Sequence, residues 1–272
     1  KTFTDVLPNL NAFYQYNEEV SFTASVTRSL NRPNFNQLSP FKDENPKDGI
    51  VTEGNPDLDP ARSWNFDAGV TYEKEKLYLT ANIFHKEIED VIELSDTGEV
   101  TSGLDVSRFE NVGDGWLQGI ELEQQYIAES FIPGLTLWAN QTVLDSELTD
   151  TAGLERSFDK QPDLIANLGF DYTVPQTQTT VSFVAKFRDE ISEIERDDVG
   201  EVEFESETKV WFLDVAVRQP INENFTLVFE GVNLTNENKD KTERTIKSGE
   251  IEVENKLEQP GRFFSLAIEG SF

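Results

Sequence analysis

Few residues in this chain have the chemistry of a catalyst or a metal ligand. His85 is the single histidine among 272 residues, and cysteine is absent. Clustered His ligation, a Cys-based zinc or iron–sulfur site and a thiolate nucleophile are therefore out of reach. A Ser/His/Asp arrangement would have to recruit the same His85, whose plainer reading is a polar residue near a rim. Carboxylates are plentiful instead. The stretch 190–207 carries nine of them, Glu190, Glu193, Glu195, Asp197, Asp198, Glu201, Glu203, Glu205 and Glu207, against one Arg196. Hard divalent cations take carboxylate oxygens, but no run here has the spacing of a calcium loop. A solvated, charged loop that repels wrong partners is the favoured reading, and no cofactor is expected.

The charge balance narrows the partners. With 23 Lys+Arg against 52 Asp+Glu the net charge is −29, so a phosphate-bearing nucleic acid would be repelled rather than held. Aromatic residues make up 11% of the chain, which is too many for a disordered polyelectrolyte and enough for a core or an apolar surface band. The longest uninterrupted apolar run is four residues, Val210 to Leu213, far below the roughly 20 that a spanning helix needs. The start, Lys1-Thr2-Phe3-Thr4-Asp5, has no initiator Met and no basic-then-apolar pattern. No signal peptide is expected, and Lys1 reads as an internal position of a longer protein.

The elements that would position any site are strands. Val20, Phe22, Ala24 and Val26 interleave with Ser21, Thr23, Ser25 and Thr27, and Trp64, Phe66, Ala68, Val70 and Tyr72 interleave with polar or small residues. Alternation at this period gives each strand one apolar and one polar face. It recurs through eleven expected strands, at about 6–16, 19–28, 63–74, 77–92, 115–129, 135–146, 162–173, 178–195, 202–218, 225–235 and 261–272. No stretch holds a 3.6-residue period.

Connections alternate between short and long. Short ones fall near Asn17-Glu18, Lys74-Glu75-Lys76, 131–134, 175–177 and 222–224, and long ones at 29–62, 93–114, 147–161, 191–207 and 236–260. An up-and-down meander with tight turns at one end and long loops at the other is the layout of an outer-membrane barrel. Turn signals at Asp96-Thr97-Gly98, 197–200 and 247–249 sit inside alternating stretches, so several long loops read as hairpins that outrun the bilayer. Trp64, Tyr72, Tyr126, Trp138 and Trp211 are candidates for interfacial girdles. Acidic residues such as Asp67, Glu121, Glu123, Asp214 and Glu269 fall at alternate positions that lipid would not touch. The apolar positions Phe264, Leu266, Ile268, Gly270 and Phe272 share one face of the last strand and read as an outer-membrane insertion signal.

The segment Thr27-Arg28-Ser29-Leu30-Asn31-Arg32-Pro33-Asn34-Phe35-Asn36-Gln37-Leu38-Ser39-Pro40-Phe41 resembles the strand-to-loop motif of the TonB-dependent receptors of Gram-negative outer membranes. Gly54-Asn55-Pro56-Asp57-Leu58-Asp59-Pro60-Ala61-Arg62-Ser63 resembles their "GNPxLxPE" region, with Ala61 where an acidic residue is usual. Asn111-Val112-Gly113 through Gly119-Ile120-Glu121-Leu122-Glu123, Gly231-Val232-Asn233-Leu234-Thr235-Asn236 and Pro260-Gly261-Arg262-Phe263-Phe264 follow in the family's order.

The resemblance implies an all-β, antiparallel, transmembrane β-barrel of about 22 strands, of which eleven C-terminal ones lie in residues 1–272. A plug domain, a TonB box and the first half of the barrel are expected to precede Lys1, and the C-terminus is expected in the periplasm. The implied activity is TonB-energised uptake of a scarce nutrient such as a ferric siderophore or a carbohydrate, which is transport and not enzymatic catalysis. Implied partners are outer-membrane lipid and lipopolysaccharide, the TonB complex through the plug, the barrel assembly machinery through the last strand, and the nutrient itself. Ligand selection in the family falls to lumen-facing and loop-apex residues, here Arg28, Asn31, Arg32, Asn34, Phe35, Asn36, Phe109 and Asn111. Arg28 and Arg32 would pair with an anionic ligand, while the plainer reading has the motif packing its loop against the rim. A passive porin or barrel adhesin shares the strand layout, and an acidic soluble β-sandwich is a third, weaker reading.

Overall fold

The computed structural model describes residues 4–45, 49–196, 202–247 and 250–270. The chain opens with β1 (Asn9–Gln15) and β2 (Val20–Asn31), then a one-turn helix α1 (Phe35–Leu38) and the short strands β3 (Lys42–Asn45) and β4 (Ile50–Glu53). Four long strands follow: β5 (Ala61–Lys74), β6 (Leu77–Thr101), β7 (Leu104–Ile127) and β8 (Leu135–Asp150). After the two-residue β9 (Glu155–Arg156) come β10 (Leu164–Thr173), β11 (Thr180–Arg188), β12 (Ile191–Arg196), β13 (Val202–Glu207) and β14 (Val210–Pro220). Last are β15 (Phe225–Val232), β16 (Lys239–Lys247), β17 (Glu250–Glu258) and β18 (Phe263–Gly270).

Eleven strands form one antiparallel meander in the order β1-β2-β5-β6-β7-β8-β10-β11-β14-β15-β18. Register converts the alternation of each strand into two continuous faces. One row runs Ala24↔Ala68↔Ile83↔Ile120↔Val143↔Leu164, all apolar. The row one residue away runs Ser25↔Asp67↔Phe84↔Gly119↔Leu144. The side chains of Ile83, Leu168, Leu266 and Ile268 stand more than half exposed on the apolar face, as a wall that meets lipid rather than a protein core requires. Gln124 and Gln141 interrupt that face, and they satisfy one another through a 3.1 Å hydrogen bond. On the polar face Ser25 donates to Asp67 at 2.8 Å, and Lys186 pairs with Asp214 at 2.6 Å.

The long connections are themselves built of strands. β6 and β7 run on past the meander as a paired hairpin, with bulges near Ile88 and Asp96, and turn at Ser102-Gly103. The stretches 178–195 and 202–218, each expected as one strand, break near 189–190 and 208–209. Their outer parts, β12 and β13, leave the meander and join β16 and β17 in a separate four-stranded sheet ordered β12-β13-β16-β17. Residues 239–258, expected as a hairpin within the long connection 236–260, supply half of that sheet. The turn signals at 197–200 and Ser248-Gly249 lie outside the described residues, as does Phe272.

Trp138 departs from the girdle expectation. It lies on the polar face, its indole donating to Asp171 at 3.1 Å and lying against Gly169, where a Cβ would come within 2.6 Å of the ring. Tyr72, Tyr126 and Tyr172 do lie on the apolar face at the short-turn end, paired with Leu79, Leu77 and Leu135. The largest fully buried side chains, Leu58, Leu148, Val51, Val106, Val210 and Pro60, all sit at the long-loop end, so the packed core is under the loops and not within the wall.

Candidate functional site

The long-loop end is held in shape by three clamps, and each joins segments that are far apart in sequence. The first closes the loop between β2 and β5. Asn34 caps α1 by accepting from Gln37 N while the Gln37 side chain accepts from Asn34 N, a reciprocal capping box. Asn55 N then donates to Gln37 O at 2.6 Å, and Gly54 lies so close that a Cβ would stand 2.1 Å from Ser39 O. Only glycine lets these two backbones meet.

The second clamp centres on Asn111. Its carboxamide accepts from Asp59 N at 2.9 Å and donates to Asp59 O and Asp90 O at 3.0 Å each. β4 adds in parallel to β7 at Asp105–Arg108, and Glu53 receives Lys42 at 3.0 Å and Arg108 at 3.4 Å. The Lys42 ammonium, helped by Arg108, holds the Glu53 carboxyl below its usual range despite partial burial.

The third clamp belongs to Asn233, which is 3% exposed and left-handed at φ +54°. Its backbone N donates to Asp214, and its side chain donates to Glu237 O and Gly261 O and accepts from Glu237 N. Arg262 closes the same junction by donating to Leu234 O.

A charged cluster links the separate sheet to the meander. Arg156, only 8% exposed in its side chain, pairs with Glu93 of β6 and with Asp159 at 2.7 Å, while Lys160 reaches Glu193 of β12 at 2.8 Å. Burial and the neighbouring Glu93 push the Asp159 carboxyl up to about 7, against the opposing pull of Arg156.

The residues expected to select ligand fall into distinct places. Arg28 shares the apolar face with Val26, its guanidinium 5.6 Å from the Trp64 ring and 3.7 Å from Glu89. It therefore stands on the outside of the wall, away from the polar side where a ligand would pass. Asn34 and Asn111 spend their side chains on the clamps just described. Phe109 is half-buried in the β6–β7 hairpin opposite Leu94. Asn31, Arg32, Phe35 and Asn36 remain exposed along one loop, Phe35 at 82%. Sequence reasoning passed over Asp59, Gln37 and Arg156, which do the holding. The N-x-x-Q spacing of Asn34 and Gln37 was the legible signal for Gln37. His85 stacks at 6.3 Å on Trp116 and approaches Glu87 at 3.8 Å on the apolar side. Among the described residues no group of three His, Cys, Asp or Glu is placed to hold a metal ion.

A meander apolar on one face, polar on the other, turned tightly at one end and roofed by hairpins at the other defines a transmembrane β-barrel wall. The model of the TonB dependent receptor-like, beta-barrel family matches residues 1–234, and the chain belongs to that family. No curated protein matches the chain in sequence. Among solved structures it is similar to a variant of the ferric enterobactin receptor PfeA of Pseudomonas aeruginosa in complex with enterobactin, with TM-score 0.68 and 17% identity over 98% of this chain and 40% of that one. The siderophore receptor PirA of Pseudomonas aeruginosa gives TM-score 0.68 and 15% identity over 98% and 42%. The FrpB iron transporter of Neisseria meningitidis gives 0.70 and 16% over 98% and 39%. At these identities the likeness shows the fold. The chain spans about two fifths of the length of each of these structures.

Proposed function

We propose that this chain forms the C-terminal part of the barrel of an outer-membrane receptor that takes up a scarce nutrient, an iron–siderophore complex first among the candidates, with energy delivered through TonB. The observation that carries the reading is the eleven-strand wall with its clamped, hairpin-built roof at one end, in a chain of this family. The family and the siderophore and iron receptors of like fold support the same choice.

In this reading the apolar face meets lipid, the short turns and the C-terminus are periplasmic, and the hairpins are extracellular beside lipopolysaccharide. A plug domain and a TonB box precede Lys1, with the remaining strands of the barrel. Ligand is met by Asn31, Arg32, Phe35 and Asn36. Arg28, stacked on Trp64 at the rim, faces lipid headgroups instead. The strand β18, with Phe264, Leu266, Ile268 and Gly270 on one face, presents the barrel assembly machinery with its insertion signal.

The test is growth on ferric siderophores as sole iron source, with the whole receptor expressed in a host lacking its own siderophore receptors. Expected is growth on one of them that is lost when tonB is deleted. Growth that persists without TonB would favour the porin, and surface attachment without uptake would favour the adhesin.

A further inference from the structure

The apolar face of the wall changes character over two rows toward the long loops. Its row Ala24↔Ala68↔Ile83↔Ile120↔Val143 is followed by Val26↔Phe66↔His85↔Gln118↔Asp145 and then by Arg28↔Trp64↔Glu87↔Trp116↔Glu147. Hydrocarbon ends where these polar groups and tryptophans begin. Two recesses meet at that border. A groove of about 610 Å³ crosses five strands over the low floor of Ala24 and Ala68, beside Phe66, Ile83 and Ile120. Next to it, toward the loops, a recess of about 450 Å³ is lined by Glu87, Trp116 and Glu147, with Asp114 among its walls. His85 and Gln118 line both, so the two are continuous.

The last of these rows alternates aromatic and acid. Cross-strand neighbours stand about 5 Å apart, so Glu87 lies between Trp64 and Trp116, and Glu147 flanks Trp116 on its other side. Every residue of the surrounding stretches 83–89, 114–120 and 143–149 is described. Glu87, with its side chain 65% exposed, approaches only the imidazole of His85, at 3.8 Å. Arg156, which is paired to Leu148 in the sheet, spends its fork on Glu93 and Asp159 and leaves Glu147 without it. On the far side of Glu87, the Arg28 guanidinium lies 5.6 Å from the Trp64 ring. The order along the row is thus one cation, then two anions, spaced by indole rings. Among the described residues no three carboxylates or histidines converge as a metal ion needs, whereas an ammonium group suits separate carboxylates and the face of an indole.

We propose that this two-part recess on the outside of the wall binds a lipid whose headgroup carries phosphoethanolamine, and that the lipid is the saccharolipid of the outer leaflet. An acyl chain lies in the groove over Ala24 and Ala68. The ammonium group sits on Trp116 between Glu87 and Glu147, and the phosphate that bears it meets Arg28 over Trp64. His85 and Gln118 stand where the chain joins the headgroup. A lipid A with bare phosphates alone is repelled by Glu87, Glu147 and Asp114. The inference rests on the receptor reading only in placing this rim in the outer leaflet.

The test is native mass spectrometry of the whole receptor in detergent with lipid A, with phosphoethanolamine-substituted lipid A and with phosphatidylethanolamine. Expected is retention of the substituted lipid A roughly tenfold above that of the plain form, with the difference abolished by the double substitution Glu87→Gln and Glu147→Gln. Ala68→Phe, which fills the groove and leaves both carboxylates, lowers retention of both forms of lipid A. Equal retention of the two forms by the unaltered receptor overturns the proposal, whether or not the variants fold. So do a preference that survives the double substitution, retention indifferent to Ala68→Phe, plain lipid A raised to the same level by magnesium, and stronger retention of phosphatidylethanolamine than of the substituted lipid A. TonB-dependent growth is read separately, so failure of the transport reading leaves these measurements standing, and the reverse.

Discussion

At the scale of single residues, the positions that make this chain resemble its family are chiefly anchors. Asn111, Asn233, Gly54 and Asn34 look like recognition chemistry in a sequence, since amides and glycines crowd ligand sites. In three dimensions the three amide side chains are taken by backbone groups that would otherwise be orphaned beneath the loops, and Gly54 lets two backbones meet. Asp159 is different, because its neighbours set its protonation. Its carboxyl, raised to about 7 by burial and Glu93, binds a proton in the folded protein that it lacks when unfolded over the window between its ordinary value and about 7. Its stabilising contribution is therefore fully present below about pH 4 and is lost as pH rises through 7. The protection factor at 155–160, which is exchange corrected for its intrinsic rise with pH, should fall between pH 5 and pH 8 in the wild type. In Asp159→Asn, which still accepts from Arg156, that fall should disappear, and an equal fall in both proteins would refute the assignment.

Elements obey the alternation of the chain wherever both faces of a strand have a definite solvent. Leu168 and Asn167 are neighbours on β10 and point to opposite sides, Leu168 beside Ala139 and Ala185 on the apolar face, Asn167 donating to Asn140 on the polar one. Leu168→Arg should cost roughly 2–4 kcal/mol if it lies near the bilayer midplane, while Asn167→Arg should cost far less. Urea unfolding of the whole receptor in liposomes measures the difference, and equal costs would mean that the faces are wrongly assigned. The same alternation continues through 190–207, where it could not reveal that β12 and β13 part from the meander. Strand period reports that a segment is half-buried, and says nothing of which partner buries it.

For the whole molecule, the decisive feature is that the meander ends in two strands with one neighbour each, β1 and β18. Unpaired backbone groups in hydrocarbon cost several kcal/mol apiece, and only closure of the barrel removes them. Residues 1–272 produced without further strands should therefore fail to give a heat-modifiable, protease-resistant species in liposomes, where the whole receptor does give one. A resistant species from this chain alone would mean that it closes on itself or on a second copy.

Sequence alone determined the eleven strands of the meander, the two faces and the contrast between short turns and long loops, and its motifs carried the resemblance to the family. The first three follow from local period and local turn chemistry, which a chain carries residue by residue. Tertiary structure decided that Arg28 lies on the outside against Trp64, that Trp138 turns to the polar face over Gly169, and that Asn111 clamps Asp59 and Asp90. It also decided that the acidic loops build a second sheet apart from the meander. Each of these depends on register between segments tens of residues apart, and a one-residue shift, which leaves composition and period untouched, exchanges the two faces of a strand.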